Sequence, residues 1–363
     1  MRSSRALIGA AVASALVLSV PLPSSAAPRP VPVREWSQQV VAPFSLAVDG
    51  ARVLVADGAT GTIGLLRADG NLSTVVSGVP GLAGLATRGQ WLAYGSSIAD
   101  ESTEPPVISA SGLNLRKPNG TTTYVDIHAY EVAKNPDAIN TYGITDPKSC
   151  AAGMNYTGLV DAHVYAVASW AGDWLVADAG ANAVFRVTDN GGISTLAVLP
   201  PVPVQLSAQD VAMLGLGNCA IGDTYWVEPV PTGVAIGDDG AIYVSTLPGF
   251  PGESASKGAV WQISPRTGKA VPVVSGLSGP TGIATSGRNI YVAELFGEGV
   301  TVVRDLSKSL LVALPGALSV ATGTHGVVWA ATMASENGPG KIVSITDGRL
   351  RLRGHFRVGG PLR

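Results

Sequence analysis

The stretch VDAHVYAVASWAGDWLVADAGANAVFRV, residues 160–187, repeats a pattern that occurs earlier in the same chain. Residues 45–66 read SLAVDGARVLVADGATGTIGLL, with the same apolar segment, the same tight turn and the same LVAD strand. Both copies alternate apolar and small residues and are rich in Val and Ala, a pattern typical of β-strands. The echo predicts that one structural unit is used repeatedly.

The strand at the centre of this unit occurs six times. The copies are VLVAD (53–57), WLAYG (91–95), WLVAD (174–178), IYVST (242–246), IYVAE (290–294) and VWAAT (328–332). An apolar segment and a turn precede each copy, a third strand follows it, and a fourth apolar piece closes most units. Because a single four-stranded sheet cannot cover its own faces, the units must stack on one another. The sequence predicts an all-β fold, a six-bladed β-propeller with four-stranded antiparallel blades.

This interpretation divides the chain into a targeting segment and one domain. Residues 1–26 combine a basic start, an apolar run and a small-residue cleavage pattern, as a signal peptide does, with an uncleaved anchor as the alternative. Residues 27–363 then form the propeller, with blades predicted at 43–78, 79–127, 160–200, 229–276, 277–316 and 317–354. Long connections are predicted at 128–159 and 201–228. Either 33–41 or 349–354 could be the outermost strand that closes the ring.

Composition limits the partners and the compartment. A formal net charge of −2 with 14% charged residues leaves no basic stripe for a phosphate backbone, so no nucleic-acid partner is expected. The apolar run in the leader is too short to cross a bilayer and no later run of that kind follows. We therefore expect a secreted protein with no membrane span after signal cleavage. A closed ring leaves little sheet edge for pairing, so a monomer is expected.

The chain contains two cysteines, Cys150 and Cys219. An even count in an exported protein predicts a disulfide, and each cysteine lies in one of the two long connections. Two independent buried thiols are the alternative. A bridge would hold both connections over the same face of the ring.

The turns fall into a short class and a long class. In an antiparallel blade, the turns between strands one and two and between strands three and four lie on one face, which we call the hairpin face. These turns are short and rich in Gly, Asn and Asp. The remaining loops lie on the opposite, loop-rich face and include residues 98–110, 247–258 and both long connections. Long loops in a compact domain are usually functional, so a site is predicted on the loop-rich face.

Polar side chains are expected to converge at this face. The residues that end the six second strands are Asp57, Gly95, Asp178, Thr246, Glu294 and Thr332. The segments that enter the neighbouring first strands add Asp161, His163 and Glu228, and Asn182 follows Asp178 closely. Carboxylates, an amide and an imidazole suit either a small ligand or a Ca²⁺ or Mg²⁺ ion, for which Glu228, Glu294 and Asp178 are the candidate ligands.

Some of these candidates also have a purely structural interpretation. Asp57 and Asp178 could accept hydrogen bonds from their own loops and fix a turn. Glu228 and Glu294 have no obvious turn role. His163 could be a ligand or a proton shuttle, or an ordinary histidine packed against Tyr165.

Four stretches resemble the ScyD/ScyE-type family of exported propellers. They are DAHVYAVA (161–168), VADAGANAVFRV (176–187), LAVLPP (196–201) and the segment 218–251. The family motif usually has Ser-His-Pro-Tyr where this chain has Ala162, His163, Val164 and Tyr165. The resemblance implies a secreted six-bladed ring in the style of NHL and gluconolactonase propellers, and it implies no catalytic residue.

The leading functional hypothesis is a propeller that binds a small ligand, or an extracellular or envelope partner, at the loop-rich face without chemistry. The alternative is a metal-dependent hydrolase or lyase that acts on a small molecule, in the style of gluconolactonases or streptogramin lyases. A structural element of the envelope is a third option. The sequence alone does not decide whether the protein is an enzyme.

Overall fold

The computed structural model describes residues 31–100, 102, 107–253 and 255–346. The predicted signal peptide (1–26) and the candidate closing strand at 349–354 lie outside these residues. In chain order, the elements are β1 (Val33–Val40), β2 (Pro43–Asp49), β3 (Arg52–Asp57), β4 (Thr62–Leu66), β5 (Leu72–Val76), β6 (Ala83–Arg88), β7 (Trp91–Asp100), β8 (Val107–Arg116), β9 (Thr122–Asp126), α1 (Ile127–Lys134), β10 (Thr141–Ile144), β11 (Asn155–Thr157), β12 (Val164–Trp170), β13 (Asp173–Asp178), β14 (Ala183–Val187), β15 (Ile193–Val198), β16 (Val202–Gln205), α2 (Ala208–Met213), β17 (Thr224–Val227), β18 (Pro231–Ile236), β19 (Ile242–Thr246), β20 (Gly258–Ile263), β21 (Ala270–Leu277), β22 (Pro280–Ser286), β23 (Asn289–Glu294), β24 (Gly299–Arg304), β25 (Ser307–Ala313), β26 (Ala317–Thr322), β27 (Val327–Thr332) and β28 (Gly340–Thr346).

The strands of the described chain form seven four-stranded antiparallel sheets, which confirms the predicted all-β class and the antiparallel four-stranded unit. Five sheets use consecutive strands: β2–β5, β6–β9, β12–β15, β18–β21 and β22–β25. A sixth has the order β26-β27-β28-β1, and the seventh has the order β11-β10-β17-β16.

The first strands of six sheets contact one another in series. The series runs from β2 through β6, β12, β18, β22 and β26, and it returns to β2. Residues of all six strands line a common channel with a volume of about 330 Å³. The seventh sheet contributes no strand to this series.

Neighbouring sheets are held together by interleaved apolar side chains. Between the sheets β6–β9 and β12–β15, the fully buried Trp174 and Phe185 pack with Leu113 and Leu115. Burying a large apolar side chain stabilises the fold by roughly 1.5–3 kcal/mol, so each such contact surface contributes substantially. Gly95, predicted to end the second strand of its unit, instead lies within β7, where a Cβ would lie 2.7 Å from the carbonyl oxygen of Val164 in the next sheet.

The N-terminal strand completes the last sheet. Strand β1 pairs antiparallel with β28, with Val33 opposite Ile345 and Val40 opposite Gly340. The indole of Trp36 donates a hydrogen bond of 2.8 Å to Ser344 Oγ. Of the two closing strands predicted, the segment 33–41 is therefore the edge strand of this sheet within the described part of the chain.

The loop predicted at 98–110 is largely a two-stranded extension. Strands β7 and β8 stay paired beyond the sheet, with Ile98 opposite Ala110 and Asp100 opposite Val107. The alternation of small and apolar residues in the paired segments supports this pairing, but the acidic and proline residues in the middle of the sequence 98–110 made a loop the expectation.

The two long connections are also more ordered than expected. Residues 127–160 and 202–227 together form the seventh sheet with helices α1 and α2, and we call this unit the disulfide lobe. Helix α1 begins at the N-cap Asp126, whose carboxylate accepts a hydrogen bond from Ala129 N, and helix α2 has a capping box formed by Ser207 and Asp210. Strands of three or four residues outside the repeat carry too weak a pattern for prediction.

The predicted disulfide is confirmed. Cys150 and Cys219 are bonded across a sequence separation of 69 residues. The bond joins the two halves of the lobe, whose small core includes Ile144, Leu206 and Val211. No helix in the described segments is long and apolar enough to span a membrane.

Replacing both cysteines with serine should weaken the disulfide lobe. In the chain-entropy model, opening a loop of this length lowers the free energy of unfolding by about 4 kcal/mol. Thermal unfolding followed with and without a reductant measures the effect. The reductant should lower the melting temperature of the native protein and leave the double variant unchanged, and an equal response of both proteins would contradict the prediction.

Candidate functional site

The carboxylate of Asp178, at the end of β13, organises the turn that follows it. Its Oδ1 accepts hydrogen bonds from the backbone amides of His163 (2.7 Å), Gly180 (3.1 Å) and Ala181 (3.0 Å). Asp57 has the matching role after β3, since it accepts from the amides of residues 41, 42 and 59. The turn interpretation therefore describes both aspartates. However, Asp178 Oδ2 is buried and has no hydrogen-bond partner among the described residues.

The side chain of Asn182 joins three segments. Its Nδ2 donates to Asp137 Oδ2 (2.9 Å) in the disulfide lobe and to Gly180 O (3.3 Å), and its Oδ1 accepts from Val230 N (3.1 Å). Asn182 is fully buried and has a positive φ of 50°, a conformation that Asn tolerates better than most residues. This geometry connects the sheet β12–β15, the lobe and the start of β18.

Buried carboxyl groups of the lobe surround this junction. Asp137 accepts from Tyr142 Oη at 3.1 Å in addition to Asn182. Glu131, in α1, is fully buried, and neither of its carboxyl oxygens has a partner in the described part of the structure. Burial, and then the charges of Asp137 and Asp178, raise the pKa of Glu131 to about 8. Burial also raises the pKa of Asp178 to about 7.

Glu228 lies where this cluster reaches solvent. It follows β17, is half-buried, and its Oε1 accepts a hydrogen bond of 3.2 Å from the hydroxyl of Tyr156 in β11. Burial raises the pKa of Glu228, while the hydrogen bond from Tyr156 lowers it and the charges of Asp137 and Asp161 raise it. Glu228 is thus an accessible carboxyl group with a tendency to keep its proton.

Asp161 and His163 lie on the segment that enters β12. The side chain of Asp161 is exposed and packs over Gly180, where a Cβ would lie 2.8 Å from the Asp161 carboxyl carbon. His163 packs beside Tyr165, with ring centroids 6.1 Å apart, and burial lowers its pKa although Asp161 opposes this effect. The imidazole is therefore neutral at physiological pH.

Six residues are the predicted ligand-binding set: Asp161, His163, Asp178, Asn182, Glu228 and Glu294. The structure brings the first five together and places Glu294 in a different sheet. The residues around the junction are Asp161, His163, Asp178, Asn182 and Glu228. We call these five residues, together with Glu131 and Asp137, the carboxyl cluster. Glu294 ends β23, where its carboxylate accepts from Ser278 N (2.6 Å) and from the hydroxyl of Thr301.

The three candidate metal ligands do not form one coordination set. Within the described ranges, no group of three or more His, Cys, Asp and Glu residues is arranged to hold a metal ion. Asp178 Oδ1 already accepts hydrogen bonds from three amides, and the Glu294 carboxylate already accepts from Ser278 N and the hydroxyl of Thr301. The residues present do not fit a Ca²⁺ or Mg²⁺ site built from Glu228, Glu294 and Asp178.

Sequence reasoning missed the contribution of the disulfide lobe to this site. Glu131, Asp137 and Tyr156 all come from the connection predicted at 128–159. The length of that connection indicated function, but no repeat partner indicated which of its residues would fold inward. The only local signal was the pair of acidic residues among apolar ones in YEVAKNPDAI, residues 130–139.

Comparison with solved structures identifies the class of the fold. The chain is similar to the PQQ-bound aldose sugar dehydrogenase of Streptomyces coelicolor, with 14% identity, a TM-score of 0.55 and coverage of 87% of this chain and 98% of the other. It is also similar to a gluconolactonase of Xanthomonas campestris, with 12% identity, a TM-score of 0.54 and coverage of 86% and 89%. A putative glucose dehydrogenase of Thermus thermophilus gives 18% identity, a TM-score of 0.54 and coverage of 87% and 99%. The chain therefore has the β-propeller fold that these proteins share.

Sequence comparison does not narrow the class further. The chain matches no family model and no curated protein. The resemblance to the ScyD/ScyE-type family therefore remains a prediction.

Replacing Glu131 with Gln should remove a pH-dependent loss of stability. The folded state holds the pKa of Glu131 near 8, above its ordinary value of 4.5, so the folded state binds the proton more tightly than the unfolded state does. The free energy of unfolding should therefore fall as the pH rises from about 4.5 to about 8, by about 1.4 kcal/mol per pH unit from this group. The Gln variant, which carries no charge at any pH, should not show this component.

Urea unfolding at pH 5 and pH 8 measures the difference between the two proteins. The exposed Glu336, replaced with Gln, is the control, and its pH dependence should follow that of the native protein. A native-like pH dependence of the Glu131→Gln variant would show that Glu131 is ionised in the folded protein.

Proposed function

We propose that the protein is a hydrolase or lyase that acts on a small molecule at the loop-rich face, with Glu228 as the proton donor. The observation that carries this proposal is the half-buried Glu228 carboxyl, whose pKa is raised by burial and whose orientation is held by Tyr156. A carboxyl group of this kind can stay protonated closer to neutral pH than a free one and can protonate a leaving group.

The neighbouring groups supply the complementary function. His163 is neutral and can accept a proton from an attacking water molecule or from a carbon–hydrogen bond. Asp161 lies close enough to raise the pKa of Glu228 and is itself exposed, so it can orient a bound substrate. An acid and a base with different environments are the minimum requirement for this chemistry. No step of the proposal involves a metal ion.

The substrate class is suggested by the fold neighbours. The neighbours reported above are an aldose sugar dehydrogenase, a gluconolactonase and a putative glucose dehydrogenase. A shared fold does not establish a shared activity, so we use the neighbours only to choose which compounds to test first. We propose lactones and esters derived from sugars as the first class.

We also propose that the ring has six blades and that the disulfide lobe is an insertion at its loop-rich face. The support for six is the series of contacts from β2 through β26 and back to β2. The lobe is formed only by the segments on either side of the sheet β12–β15. The resemblance to ScyD/ScyE-type propellers also supports this count.

Export of the protein to an oxidising compartment is part of the proposal. The disulfide supports it, because such bonds persist mainly outside the cytoplasm. The sequence of residues 1–26 supports it independently.

The hypothesis of binding without chemistry uses the same site and is distinguished by turnover. A panel of sugar lactones and sugar esters, with acid release followed by a pH indicator, should show activity that saturates with substrate. The Glu228→Gln variant should lower kcat by about 10²–10⁴-fold, the range typical of a lost general acid, and leave binding within about threefold. Because the acid form of Glu228 is required, kcat should decline as the pH rises above its pKa.

Glu298→Gln is the matched control, since Glu298 is an exposed carboxyl on a loop-rich-face loop of another sheet. Binding of a panel member without product, unaffected by Glu228→Gln, would assign the protein to the non-catalytic binders instead. Equal losses of activity in both variants would exclude a specific role of Glu228.

A further inference from the structure

A second cavity lies on the hairpin face, between the sheets β18–β21 and β22–β25. Its volume is about 580 Å³, within the range of small-molecule sites. It is bounded by the β18–β19 turn, the β22–β23 turn and the β24–β25 turn. The carboxyl cluster belongs to the loops of the opposite face, so this cavity is separate from the proposed active site.

The floor of the cavity is apolar and aromatic. Ile290 and Val303 are buried beneath it, and Val273 and the ring of Tyr243 form its side. Gly237 permits this arrangement, because a Cβ there would lie 2.6 Å from Asp239 Oδ1 and 3.2 Å from Tyr243 Cε2. The Asp239 carboxylate and the Tyr243 ring thus meet at Gly237, and burial, followed by the charge of Asp239, raises the pKa of the Tyr243 phenol.

The rim of the cavity carries an excess of negative charge. Three carboxylates and one guanidinium line it: Asp238, Asp239, Asp305 and Arg288. Arg288 is already paired with Asp305. The other two aspartates bind backbone amides, Asp238 to Gly287 N (3.0 Å) and Asp239 to Ala241 N (3.0 Å), and neither has an ion-pair partner in the described part of the chain.

One apolar residue is exposed at this rim in a strained conformation. Leu306 is 73% exposed, and Asp305 and Leu306 both have positive φ angles, of 48° and 64°. These two residues form the turn between β24 and β25, where such angles normally select Asn-Gly. A leucine here adds nothing to the turn itself, but it extends the apolar wall of the cavity.

We propose that this cavity is a binding site for a small organic cation with an apolar body, such as a primary or quaternary amine. The apolar floor and Leu306 receive the body of the ligand. The uncompensated charge of Asp238 and Asp239, together with the face of the Tyr243 ring, receives the ammonium group. This inference does not depend on the proposed enzymatic function.

Titration with three phenyl compounds of similar size tests the charge requirement. Phenethylamine carries a positive charge at pH 7.5, 2-phenylethanol is neutral, and 3-phenylpropanoate is negative. By calorimetry on the full chain, the amine should bind with a Kd on the order of 0.1–1 mM. The alcohol should bind at least about tenfold more weakly and the carboxylate not at all. Equal binding of the amine and the alcohol, or no saturation by the amine up to about 20 mM, would overturn the proposal.

Two variants locate the binding to this cavity. Asp239→Asn keeps an acceptor for Ala241 N and removes the charge, so the Kd for the amine should rise about tenfold. The matched control is Asp69→Asn, because Asp69 binds the amide of residue 71 in a hairpin-face turn with the same 3.0 Å geometry in another sheet. Equal effects of the two substitutions would show that the amine responds to the general surface charge and does not bind specifically in this cavity.

Leu306→Gly separates a binding role from a structural one. Glycine suits the positive φ angle, so the melting temperature should not fall. The Kd for phenethylamine should nevertheless rise by about threefold to tenfold, because apolar contact area is lost. Unchanged binding in this variant would show that Leu306 does not contact the ligand. A lower melting temperature would show that Leu306 supports the fold instead.

Discussion

The buried amide of Asn182 is the contact on which the architecture of the loop-rich face depends. One side chain joins a turn of the sheet β12–β15, the Asp137 carboxylate of the lobe and the backbone of Val230. A buried amide satisfied at both ends stabilises modestly, but leaving its partners unpaired would cost each of them its full desolvation penalty. The position of Glu228, two residues before Val230, follows from this junction. The proposed acid is therefore placed by a residue that never contacts solvent.

The same junction explains why the pKa values of the cluster are raised. Five carboxyl groups are gathered around one amide and two tyrosine hydroxyls, and the described structure places no basic side chain in an ion pair with any of them. Four of the five have a raised pKa: Glu131, Asp137, Asp178 and Glu228. Under these conditions burial favours the protonated forms, and each carboxylate raises the pKa of its neighbours. The burial and mutual repulsion of these carboxyl groups therefore destabilise the disulfide lobe. The disulfide and the small core around Ile144 must offset this destabilisation. Such strain is characteristic of functional sites, where it keeps acidic groups ready for proton transfer.

The repeated unit was predictable from the sequence because the same alternation of apolar and small residues recurs in each copy. The strands of each copy need this pattern because neighbouring sheets cover both of their faces. Trp174 and Ile290 occupy equivalent places in repeated strands, and the turns between them carry the expected Gly, Asn and Asp. The lobe was not predictable to this extent, since β10, β11 and β16 are short and occur once. Part of the candidate site was also predictable from the sequence. Asp178 and Glu228 stand out beside the strand ends, whereas Glu131 looks like an ordinary helix residue until α1 folds against Asp178. Glu228, Glu294 and Asp178 form no group that could hold a metal ion within the described residues, and backbone amides donate hydrogen bonds to Asp178 and Glu294.

The pairing of β1 with β28 has a consequence for how the chain matures. Trp36 and Ser344, joined by a hydrogen bond, are 308 positions apart, so the last sheet cannot form until nearly the whole polypeptide is present. Contacts of such long sequence separation form slowly. If the protein is exported as an unfolded chain, β1 crosses the membrane first and stays unpaired until β28 has also crossed. Secretion and ring closure are then ordered in time, which gives a folding catalyst or holding chaperone of the destination compartment a specific strand to protect.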